Sequence, residues 1–137
     1  MAPVLLDTCA ILWLAAGSPR GERARGHMRS AQETGSAAMV SPISAWEIGL
    51  LAARGRISLI EPARRWFARL LATPGLRLAE MPPEVLIAAS ELPGVLHADP
   101  ADRILVATAR ECGYRLLTGD RRILEYAERG HVMALAC

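Results

Sequence analysis

Short apolar runs alternate with longer segments of helical period along this chain, and that alternation narrows the fold more than any other feature. "PVLL" (3–6) is an apolar run that stops at Asp7 and reads as a buried strand. A helix follows from Thr8 to about Ala16, closed by Gly17. Ser18-Pro19 has the form of an N-cap with a first-turn proline, opening an arginine-rich helix toward Thr34. "AAMVSPIS" is a second strand candidate, and the segment from Ser44 starts a helix with Glu47 at capping-box spacing. "EPARRWFARLLATPG" places Trp66, Phe67, Leu70 and Leu71 on one helical stripe. "LRLAEM" alternates as a strand does, and "PPEVLIAASELPG" reads as a short helix. From Pro100 a helix runs to about Glu111, then come the strand "YRLLTGD", the helix "RRILEYAER" and the strand "HVMALA". Apolar strands separated by helices suit a parallel sheet covered on both faces, hence an α/β sandwich.

At 137 residues and 52% apolar content the chain is expected to form one domain, residues 1–137, around a packed core. No linker, repeat or low-complexity segment interrupts it. Cys9, Cys112 and Cys137 are odd in number and far apart, without the paired spacing zinc needs, so a reduced, cytoplasmic setting is the plain reading. Asp7 breaks the first apolar run and no basic leader precedes it, which argues against a signal peptide. "ILWLAA" is too short to span a bilayer. All sixteen basic residues are arginine. The absence of lysine argues against a P-loop, and, from what is known of that family, against a phosphoacceptor receiver domain.

The acids are placed more selectively than the bases. The chain has four aspartates, Asp7, Asp99, Asp102 and Asp120, and no asparagine. Asp7 and Asp120 end strands; Asp99 and Asp102 open the helix before the second of those strands; Glu47 begins a helix just after a strand candidate. In open parallel sheets ligands gather outside the carboxyl ends of the strands, so all five carboxylates can meet at one edge. Each also has an ordinary use as a cap, which Ser, Thr or Asn would fill equally well. Capping accounts for one acid per helix but not for several converging. Converging carboxylates repel and, once buried, resist ionisation unless a cation offsets them. The cation that fits is hard and oxygen-seeking, Mg²⁺ or Mn²⁺, and such a site suits phosphodiester hydrolysis. Thr118, two before Asp120, could hold a water or a backbone turn. Arg103 and the arginines of 20–29 are candidate phosphate contacts, although a solvated helix face accounts for the latter as well.

With these residues in place, the chain resembles the PIN-domain family, and more narrowly the VapC-like toxins of toxin–antitoxin modules. "LLDTCAILWL" is similar to the family's opening strand and first acid, Asp7, followed by Thr8. "SPISAWEIGLLAARGRISL" resembles the block carrying the second acid, Glu47, with Ser44 beside it. "HADPADRILVATA" resembles the segment whose acid matches Asp102, with Asp99 an additional acid of the subgroup and Arg103 next in line. "LLTGDRRI" resembles the block that gives Thr118 and Asp120. Two positions depart: Ala101 stands where the subgroup often has phenylalanine, and Leu51 where many members carry lysine.

The resemblance implies a three-layer sandwich with a five-stranded parallel sheet in order 3-2-1-4-5. It implies an endoribonuclease with Asp7, Glu47, Asp102 and Asp120 catalytic and metal-binding, and with Asp99, Thr118, Thr8, Ser44 and Arg103 in support. Its partners would be RNA, a small cognate antitoxin and a second copy of the chain. An apolar groove for the antitoxin is expected on the first four helices, with Trp13, Trp46 and Trp66 as candidates and Trp66 the one most suited to the core. The alternatives are a non-catalytic RNA- or partner-binding module and a structure-specific DNA nuclease.

Overall fold

The computed structural model describes residues 2–137. The elements run in the order β1 (Val4–Leu6), α1 (Thr8–Ala16), α2 (Pro19–Glu33), β2 (Ala38–Val40), α3 (Pro42–Ala53) and α4 (Ala63–Leu71). The second half continues with β3 (Leu76–Leu78), α5 (Pro83–Ser90), α6 (Pro100–Cys112), β4 (Arg115–Thr118), α7 (Arg121–Glu128) and β5 (Ala134–Ala136). All strand pairs are parallel, and the sheet order is β3-β2-β1-β4-β5. This is the α/β sandwich and strand order expected from the sequence and its family resemblance.

The centre of the sheet follows from period-two alternation. Val4 and Leu6 point to one face, with Ile11 and Leu14 of α1 and Ala24, Met28 and Ala31 of α2. Leu5 points to the other, with Leu105, Val106 and Ala109 of α6 and Ile123 and Tyr126 of α7. Leu5, Leu6, Leu116 and Leu117 are fully buried, each worth roughly 1.5–3 kcal/mol of transfer free energy. Central strands apolar on both faces are what a covered parallel sheet demands.

The strands are shorter than their sequence runs suggested, because helix starts claim the residues beyond them. In "AAMVSPIS" only Ala38–Val40 is strand. Ser41 then caps α3 by accepting the N–H of Ile43 (3.1 Å), and Pro42 takes the first helical position. The capping box expected at Ser44 and Glu47 is therefore corrected: Ser44 lies inside the first turn of α3, fully buried. Among the described residues no helix is long and apolar enough to cross a membrane.

Two close contacts fix the entry of the chain. The N–H of Ser18 (3.3 Å) and its hydroxyl (3.2 Å) both donate to the carbonyl of Trp13, which holds the start of α2 against the end of α1. A Cβ at Gly21 would lie 2.1 Å from that same carbonyl oxygen, so the two helices meet this closely only because residue 21 has no side chain.

Candidate active site

Parallel strands bring their carboxyl ends to one edge of the sheet, and the acids follow. One cavity of about 370 Å³ at that edge is lined by Asp7, Thr8, Glu47, Asp99, Asp102 and Asp120, with Cys9, Trp13, Arg20, Leu51, Gly119 and Arg122 around them. All five acids singled out in the sequence line this one space.

Asp7 follows β1 and caps α1, its Oδ1 accepting the N–H of Ala10 at 2.7 Å. Its Oδ2 accepts from the Thr118 hydroxyl. The oxygen of that hydroxyl accepts the N–H of Asp120 at 3.0 Å. Thr118 therefore holds both a carboxylate and a backbone turn. Asp7 is only 4% exposed, and burial pushes its carboxyl up to about 6, with the hydrogen bonds of Thr118 and Ala10 pulling it down and the charges of Asp102 and Asp120 adding to the rise.

Glu47 projects from α3 and is likewise held above the usual carboxylate range, by burial first, with Thr8 opposing and Asp102 and Asp99 reinforcing. Its Oε1 is buried with no hydrogen-bond partner among the described residues. Thr8 and Ser44 share a hydrogen bond of 3.0 Å, which links the first turn of α1 to that of α3 behind the cavity.

Asp99 caps α6 by accepting the N–H of Ala101 at 3.0 Å. Asp102 does not fold back as a capping-box acid would; its Oδ2 meets Nε2 of His97 at 2.6 Å. Burial raises Asp102 above the ordinary range, opposed by His97. Asp120 caps α7 and is clasped by Arg122 through its N–H (2.8 Å) and guanidinium (3.2 Å). Burial works against its ionisation, but Arg122 outweighs it and holds Asp120 below the usual value. Ligand atoms of His97, Asp102 and Asp120 all come within 4.8 Å of one another.

Arg103 is placed differently from expectation. Its guanidinium donates to the carbonyls of Ala89 (3.0 Å), Leu96 (3.1 Å) and His97 (3.5 Å), away from the cavity lining. It braces the loop that carries His97. Leu51, at the position where the resemblance implied a lysine, is an apolar wall of the cavity. His97 and Arg122 are the two contacts that sequence reasoning did not single out. His97 sits five residues before Asp102 on a loop, a separation with no helical meaning.

The donor set fits a hard divalent cation. Carboxylate oxygens dominate, one of them is an orphan buried acceptor, and burial makes the crowded anions unfavourable unless positive charge lies among them. The carboxylates of Asp7, Glu47, Asp102 and Asp120 could hold such an ion directly or through water. His97 Nε2 is engaged with Asp102 and so steadies a carboxylate.

The PIN-domain family profile matches residues 4–129. The chain belongs to the PIN-domain family. This PIN domain is 37% identical to Ribonuclease VapC22 of Mycobacterium tuberculosis over 123 residues, covering 90% of this chain and 91% of that protein. Its fold is similar to that in the crystal structure of VapBC2 from Rickettsia felis bound to a DNA fragment from their promoter (TM-score 0.70, 11% identity, 98% of each chain). It is also similar to that in DNA-bound VapBC from Salmonella typhimurium (TM-score 0.65, 16% identity, 99% of this chain and 98% of that one). The expected family and sheet order are thereby borne out.

Proposed function

We propose that this PIN domain is a divalent-metal-dependent endoribonuclease that cleaves RNA phosphodiester bonds as the toxin of a toxin–antitoxin pair. The observation that carries the reading is the convergence of Asp7, Glu47, Asp102 and Asp120 on one cavity, with an unpartnered buried Glu47 oxygen, in a chain 37% identical to a protein named a ribonuclease. Mg²⁺ or Mn²⁺ is the ion the oxygen donors favour. When bound it supplies Lewis acidity toward the phosphoryl oxygen and acidifies water.

The protein's own part is positioning. Thr118 and the N–H of Ala10 fix the two oxygens of Asp7. His97 fixes one oxygen of Asp102. Arg122 holds the carboxylate of Asp120, favours its ionised form and lines the same cavity. Cys9 lines the cavity, and burial of its thiol with the nearby charges of Asp7 and Glu47 pushes it up to about 11, which favours the neutral form.

Surface features support the partner reading. A groove of about 330 Å³ is lined by Leu14, Met28, Ile60, Trp66 and Leu70 with Arg25, Glu61 and Arg69 at its rim. Ile60 is 92% exposed. An amphipathic antitoxin segment fits there. Trp66 lines this groove while also packing on the core, Trp13 faces the acidic cavity instead, and Trp46 is half-exposed. Leu86 and Ile87 of α5 and the neighbouring Val95 are exposed apolar side chains suited to a homodimer contact. Three free cysteines agree with a cytoplasmic location.

The test is cleavage of a single-stranded RNA by purified protein with Mn²⁺ or with EDTA, for wild type and Asp7→Asn. Cleavage confined to wild type with metal supports the reading. Equal cleavage by both proteins, or none by either, refutes it.

A further inference from the structure

Three arginines stand around the acidic cavity or its flank, and two are already committed. Arg122 is paired with Asp120, and Arg103 is bonded to three carbonyls. Arg20 is different. It lines the cavity, is exposed, and among the described residues forms no ion pair with any of the acids near it. Its guanidinium carbon lies 4.1 Å from the centroid of the Trp13 ring, a close cation–π stack.

The surroundings of this stack are built for it. The Trp13 backbone is held by Ser18, and Gly21 lets the α2 backbone come up against it, which sets Arg20, one residue before Gly21, over the ring. The far edge of the ring reaches Gly119, where a Cβ would lie 2.6 Å from Trp13 Cη2, 2.8 Å from Cζ3 and 3.2 Å from an Arg20 guanidinium nitrogen. A side chain at 119 would displace the stack. Residue 119 lies between Thr118 and Asp120, so the absent side chain leaves the indole and guanidinium directly beside the acids.

We propose that Trp13 and Arg20 form a nucleobase subsite, in which a base next to the bond being cut stacks on the outer face of the Arg20 guanidinium while Trp13 backs the inner face. This rests on the endoribonuclease reading and deepens it. A planar cation backed by an aromatic ring offers a flat surface to any base, and base stacking of this kind is tolerant of sequence. The subsite therefore selects for unpaired, unstacked nucleotides over duplex ones. A lysine ammonium at this place would bring charge without a stacking plane.

The experiment uses a single-stranded RNA 12-mer whose cut position in wild type is first mapped with Mn²⁺. A single abasic ribose is then walked across that position, and KM and kcat are measured for wild type, Arg20→Lys and Arg20→Gln, with thermal melting as a check on folding. In wild type, one abasic position beside the cut is expected to raise KM about tenfold. Arg20→Lys is expected to raise KM for the intact strand by a similar factor, with kcat and Mn²⁺ affinity unchanged, and to lose its sensitivity to the abasic position. If Arg20→Lys behaves as wild type while Arg20→Gln is impaired, the contact is to phosphate and the base subsite is wrong. If no abasic position matters in wild type, it is also wrong. Wild type that cuts no RNA at all removes the nuclease reading first, and the subsite with it.

Discussion

The hydroxyl of Thr118 donates to the carboxylate of Asp7 across 111 positions of sequence, joining the end of β4 to the end of β1. These strands are neighbours in the middle of the sheet. The contact therefore ties the Asp7 carboxylate to the buried middle of the sheet.

Asp7 makes the metal-free fold sensitive to pH. Its folded value of about 6 is raised from 3.8, so its contribution to stability is complete below about pH 4 and is lost as pH rises through 6. The shift corresponds to about 3 kcal/mol. In EDTA, the melting temperature is expected to fall between pH 4 and 7, and Asp7→Asn, which keeps the cap but loses the acceptor for the Thr118 hydroxyl, is expected to show a much smaller fall over that range. Added Mn²⁺ should raise wild type and leave the variant nearly unmoved. Activity is expected to drop about 10²–10³-fold in the variant. Parallel melting curves for the two proteins across this range would contradict the account.

His97 acts through Asp102. With the imidazole gone in His97→Ala, Asp102 loses the partner on its Oδ2, and affinity for Mn²⁺ is expected to weaken about 10–100-fold. His97→Gln, which can still donate, should recover part of it. Calorimetric titration measures both, and an affinity equal to wild type in the alanine variant would show that the pair does not position the acid.

Gly21→Ala places a methyl group 2.1 Å from the Trp13 carbonyl oxygen and 2.9 Å from the Leu14 Cα, both backbone atoms that cannot swing aside. The α1–α2 contact must open. A loss of about 1–3 kcal/mol is expected, read from chemical denaturation. Gly26→Ala, on the same helix with nothing within 4 Å of the added carbon, serves as the control and should match or exceed wild type.

Ile60→Asp puts a charge on the lining of the apolar groove, at a residue that does not line the acidic cavity. Antitoxin binding is expected to weaken by more than tenfold while RNA cleavage is unchanged. Unaltered binding in a pull-down or by calorimetry would move the antitoxin to another surface.

The sheet and its acids were legible because each signal is local. "PVLL" before Asp7 and "RLLT" before Asp120 are apolar runs cut off by a charge, and parallel pairing does the rest. Asp99-Pro100 announced α6 by the cap-and-proline pattern. The same pattern at Ser41-Pro42 was hidden inside an apolar run, and Ser44 three residues later offered a plausible but mistaken helix start. The contacts of His97, Arg103 and Arg20 depend on how loops and neighbouring helices lie in space. No spacing rule encodes them. Of the arginines between 20 and 29, only packing could single out the one against Trp13.

Asp7, Asp99 and Asp120 each close the start of a helix with an oxygen of the same carboxylate that lines the cavity. The hydrogen bonds that start these three helices therefore also fix the acids, so a substitution that weakens a cap here alters the cavity as well.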